Sequence, residues 1–119
     1  MLRLALFAAL SLAPAAGYAG EADVIDVEAR AEGGDWRFDV TVQHADTGWD
    51  HYADTWRVVG PDGTVYGTRV LAHPHVGEQP FTRSLSGVSI PGDVTTVTVE
   101  AHDSVHEGGG AAVEVSLSQ

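Results

Sequence analysis

The segment LAHPHVGEQPF, residues 71–81, sets His73 and His75 on either side of Pro74. In an extended chain, residues two apart project to the same side, with β-carbons roughly 6–7 Å apart. Proline fixes its own φ and biases the residue before it toward extended geometry. The pair is thus a stiff presentation of two imidazoles, a common type of metal ligand. Four more histidines, His44, His51, His102 and His106, complete the set of six. The chain has no cysteine, and its one methionine is Met1. Any transition metal must therefore be held by nitrogen and oxygen, a donor set that suits Cu²⁺, Zn²⁺ or Ni²⁺ and argues against Cu(I).

The other histidines carry less local information. His51 lies in HADTGWDHYAD beside Trp49, Asp50, Tyr52 and Asp54. Either aspartate could ligate a metal or orient an imidazole, and either could equally close an Asx-turn. His102 and His106 in HDSVH are four apart, which aligns ligands only on a helix. A strand before them and Gly108-Gly109-Gly110 after them leave little room for one. Ser104 between them lacks a nucleophile-elbow context. No general base is evident, so the sequence does not point to an enzyme. The acidic loops lack EF-hand spacing.

The elements that position these residues read as strands. Ile25, Val27, Ala29 and Ala31 alternate with polar residues, and Trp36, Phe38, Val40 and Val42 do so more cleanly. Trp56 and Val58 mark a third strand, ended by the turn signal Gly60-Pro61-Asp62-Gly63. A fourth runs over about 64–70, a fifth over 81–85. Val97, Val99 and Ala101 form a sixth, and Val113, Val115 and Leu117 a seventh. Seven short strands with early tryptophans predict an all-β, antiparallel, immunoglobulin-like or fibronectin-III-like sandwich, with a small closed barrel as the alternative.

If successive strands run antiparallel, the loops near 44–54, 71–80 and 102–111 share one end, and they hold every histidine. Random placement among loops of these lengths would do this roughly once in sixteen trials under this strand assignment. His44 also continues the inward parity of Trp36 to Val42, which fits a histidine capping the core as well as it fits a ligand.

The first 19 residues read as a secretory signal peptide: Arg3, an apolar run from Leu4 to Leu12, and the small residues Gly17 and Ala19 before the cut. Residues 20–119 are then one domain, one unit more negative than the −11 of the whole chain, and without lysine. Such a surface repels phosphate backbones and anionic headgroups, so neither nucleic acid nor a membrane surface is the expected partner once the signal is removed.

The segments HADTGWDHYADTW, LAHPHVGEQPFTRS and AHDSVH resemble a group of small uncharacterised exported proteins of Gram-negative bacteria. The resemblance covers roughly Trp36 to His106 and implies export and a compact periplasmic domain; it carries over no activity. The expected function is a periplasmic or secreted metal-binding protein holding Cu(II) or Zn(II). Its ligands are drawn from His51, His73, His75 and His102, with His44 and His106 as alternates. The alternative is a non-catalytic protein-interaction module that presents Trp49 and Tyr52 from the same loops.

Overall fold

Alternating apolar and polar residues build the chain into seven strands: β1 (Asp23–Glu32), β2 (Asp35–Gln43), β3 (Ala53–Val59), β4 (Val65–Val70), β5 (Phe81–Val88), β6 (Thr96–Asp103) and β7 (Val113–Ser116). The computed structural model describes residues 20–117; the segment read as a signal peptide lies outside the described residues. Among the described residues there is no helix.

The strands form two antiparallel sheets, β1-β2-β5 and β4-β3-β6-β7. They are separate sheets and not the closed barrel that the strand pattern also allowed. Trp36, Phe38, Val40 and Val42 from β2 pack with Trp56 and Val58 from β3 and Val97, Val99 and Ala101 from β6 in one apolar core. Truncating one of the large members, such as Phe38, to alanine costs about 3–5 kcal/mol in a core of this kind. The β1–β2 hairpin turns on Gly33-Gly34, both at positive φ (60° and 96°). A primed two-residue turn requires that conformation, and its twist matches that of the flanking strands.

One expected parity is broken. Ile25 reads as an inward position of β1, yet it is 47% exposed. The register of β1 on β2 shifts between Val24 and Asp26. This bulge inserts one residue, so Val24 points inward on one side of it and Val27 on the other, with Ile25 turned out.

Three loops meet at one end of the two sheets. The His44 main-chain N–H donates to Gln79 Oε1 at 2.9 Å. The His75 N–H donates to Asp46 Oδ2 at 2.7 Å. The Ser104 N–H donates to the Tyr52 carbonyl at 2.9 Å, and the Tyr52 N–H to Ser104 Oγ at 3.1 Å. Ser104 is thus a clasp between two loops.

Candidate metal centre

The site is assembled by strand parity. On β2, the inward sequence Phe38, Val40, Val42 leads to His44, one residue past the strand end. On β6, the inward sequence Val97, Val99, Ala101 leads to Asp103, its last residue. Both side chains are fully buried. The β2–β3 loop then folds back through a bridge between Gly48 and His51 and delivers His51 between them.

His44 Nε2 lies 3.3 Å from His51 Nε2. His51 Nε2 lies 2.8 Å from Asp103 Oδ2, and His44 Nε2 lies 3.9 Å from the same oxygen. A point equidistant from three atoms with these separations lies about 2.0 Å from each, the length of a zinc–nitrogen or zinc–carboxylate bond. Among the described residues, His44, His51 and Asp103 form the group of three or more such side chains able to hold a metal ion.

The hydrogen bonds around the group define the lone pairs. Asp46 Oδ1 lies 2.5 Å from His44 Nδ1 and accepts its N–H. Asp46 also accepts from the Ala53 and His75 N–H groups, so its carboxylate is fixed on three sides. In the neutral His44 ring, Nε2 is then an acceptor. Its neighbours are the Gly20 carbonyl oxygen at 2.7 Å and the His51 ring nitrogen at 3.3 Å. Lone pairs so arranged call for a cation between them, either a second ring proton or a metal. The carboxylate–imidazole pair Asp46–His44 is the arrangement that orients metal-binding histidines and raises their basicity.

Asp103 is lopsided. Its Oδ2 accepts from the Val105 N–H (3.1 Å), the His106 N–H (3.0 Å) and His106 Nδ1 (2.9 Å) besides facing His51. Its Oδ1 is buried with no partner. Buried polar atoms are rarely left so, because the desolvation goes unrepaid. Burial raises the Asp103 carboxyl, but the His106 and Val105 donors outweigh it and hold the pKa below the usual range. The same hydrogen bond to Asp103 raises His106, against a smaller opposing effect of desolvation.

The six histidines therefore divide. His44, His51 and His106 gather around Asp103. The His51 and His106 rings are 5.0 Å apart. His73 and His75 form a pair of their own, with ring centroids 4.8 Å apart. His75 stacks on Phe81 at 4.0 Å, and Arg83 donates to its Nε2 at 2.9 Å. His102 lies on the opposite face of β6 from Asp103, 3.5 Å from Glu100, which is itself paired with Arg57. Asp50 accepts only a long contact from Thr47, as a turn residue does. Asp103, Asp46 and Gly20 are the members that the reading of the sequence passed over. Strand parity would have found Asp103, because it continues Val97, Val99 and Ala101 as His44 continues β2.

Fold and site together define a two-sheet all-β protein with a partly buried histidine–aspartate cluster that could hold a metal ion. A similar protein is known from the archaeon Halomicrobium mukohataei under the name "Putative lipoprotein". It is 43% identical over 96 residues, which cover 80% of this chain and 47% of the relative. The chain thus spans about half the length of the curated relative it matches. No protein-family model matches the chain, and no solved structure does.

Proposed function

We propose that this is an exported protein that binds one divalent transition metal ion, Cu²⁺ or Zn²⁺, through His44, His51 and Asp103 at one end of an immunoglobulin-like sandwich. The carrying observation is the donor triangle: two imidazole nitrogens and a carboxylate oxygen placed so that one point lies about 2.0 Å from all three. The carboxylate behind His44 supports it. The sheet orders β1-β2-β5 and β4-β3-β6-β7 favour the immunoglobulin-like reading. Export is supported by the apolar leader in the sequence and by a relative named as a lipoprotein. With no assigned nucleophile or base, the site serves to sequester, buffer or deliver the metal.

Calorimetric titration of metal-free protein with Cu²⁺ and Zn²⁺ tests this directly. One equivalent should bind tightly, and His44→Ala and His51→Ala should each abolish that phase. Binding that is weak, or unchanged in both variants, would mean scavenging of cations by an acidic surface.

A second reading rests on Trp49, which is 68% exposed and meets Tyr52 edge-on at 5.5 Å. Large aromatics held rigidly at a surface are typical anchors of protein interfaces. In this reading the loop docks a protein partner in the envelope. Trp49→Ala would then abolish that association while leaving metal affinity unchanged.

A further inference from the structure

The cluster converges on one main-chain group. The Gly20 carbonyl oxygen lies 2.7 Å from His44 Nε2 and 3.1 Å from His51 Nε2. A β-carbon at this place would meet His51 Cε1 and His106 Cε1 at 2.9 Å, so any larger residue must displace those rings. The segment is anchored as well as inserted. Ala22 is buried in the core, the Val24 N–H donates to the Ala111 carbonyl, and the Ala111 N–H donates to Asp23 Oδ1. In the sequence, Gly20 directly follows Ala19, the residue at which the leader reads as being cut.

We propose that the α-amino group of Gly20, released by cleavage after Ala19, is itself a ligand of this metal centre and chelates the ion together with the Gly20 carbonyl oxygen. The inference rests on the metal-binding reading above. Before cleavage the Gly20 nitrogen belongs to a peptide bond, and its lone pair is delocalised into the carbonyl, which makes it a poor donor. Hydrolysis of the Ala19–Gly20 bond gives the hydroxyl of water to Ala19 and a proton to the Gly20 nitrogen. The product is a primary amine with an ordinary pKa of about 7.7–8.0. A divalent ion displaces its proton near neutral pH, as it does with other ligands. The amine belongs to the residue whose carbonyl oxygen already lies against His44 and His51, and amine and carbonyl of one glycine close a chelate ring on a single ion. The precursor therefore has an incomplete centre. Full affinity arises only when the leader is removed, so the chain does not withdraw metal from the compartment in which it is made.

The test uses the exported, processed protein, whose intact mass fixes its first residue, beside a form that retains Tyr18-Ala19 ahead of Gly20. Both are titrated with Cu²⁺ against a competing chelator, with His44→Ala made in each. The processed chain should begin at Gly20 and bind Cu²⁺ about tenfold or more tightly than the extended form. Its electron paramagnetic resonance should show one more coordinated nitrogen. His44→Ala should abolish the tight phase in both forms. Equal affinities and spectra, or a processed chain that begins elsewhere, overturn the amine ligand and leave the histidine site standing. If His44→Ala weakens neither form, the metal reading falls and the amine ligand falls with it.

Discussion

His44 and His51 hold their Nε2 atoms 3.3 Å apart, with the rings edge to face at 71°. Two neutral imidazoles gain nothing from that approach unless a proton or a metal lies between their lone pairs and the neighbouring Asp103. Sheet parity brings the first of them to this position, a loop bridge the second, and Asp46 decides which nitrogen of His44 faces inward.

Asp46 does not reach the equidistant point, yet the site depends on it. Asp46→Asn keeps the shape but removes the charge, and one amide hydrogen must then face the N–H of His75 or Ala53. Metal affinity should fall by about 10–100-fold, the usual effect of losing the carboxylate behind a ligating histidine. Stability of the metal-free protein should fall by about 1–3 kcal/mol, because a buried donor loses its acceptor. Titration and denaturant unfolding measure the two separately. An unchanged affinity would remove Asp46 from the site.

Three histidines serve as internal controls. His102 is on the outer face of β6, and His73 and His75 are engaged with each other, with Phe81 and with Arg83. His102→Ala, and separately His73→Ala, should leave the one-to-one metal phase unchanged. Loss of that phase in either would move the site to the residue replaced.

Much of the fold was legible because alternation marks β1, β2, β6 and β7, although β4 and β5 do not alternate in burial and were legible only from the turn residues that bound them. Parity on β2 carried through to His44. The same rule on β6 places Asp103 inside and His102 outside. The bulge at Ile25 was not legible, since an inserted residue leaves no mark in an alternating pattern. Nor was Asp46, whose role depends on the 71–80 loop crossing over to donate the His75 N–H. The His73-Pro74-His75 pair is stiff, as its sequence implies, but stiffness does not set the direction in which a loop presents its side chains.

Removing the Asp103 carboxylate tests site and fold together. Asp103→Asn deprives His106 and His51 of their anionic partner and, with its amide oxygen kept toward the Val105 and His106 N–H groups, leaves a buried NH2 without an acceptor where Oδ1 stood. Metal binding should be abolished or weakened at least as much as in Asp46→Asn, and the metal-free protein should lose about 1–3 kcal/mol. His106 should titrate at lower pH, because the hydrogen bond to Asp103 is the main cause of its raised value. Proton NMR of the imidazole resonances follows that shift without any metal present. A His106 titration that does not move would contradict the ion pair.

The stability of the metal-free protein against pH separates the histidines by sign. Burial first, then the charges of Arg83 and His73, lower His75 below its ordinary value of about 6.5. The unfolded chain therefore takes up a proton that the folded chain refuses, and stability falls as pH drops below about 6.5 toward the folded value. His106 acts in the opposite sense. Its raised pKa adds stability that is fully present below the unfolded value and is lost as pH rises through the folded one. A further loss belongs to Asp103: its lowered carboxyl contributes above the ordinary carboxylate range, and that contribution disappears as pH falls through the folded value. His75→Gln keeps an acceptor for Arg83 and cannot titrate, so it should flatten the decline just below pH 6.5 and leave the lower acid transition in place. Denaturant midpoints from pH 8 to pH 3 measure both. If wild type and His75→Gln lose stability in parallel just below pH 6.5, the proton that destabilises the fold there binds elsewhere.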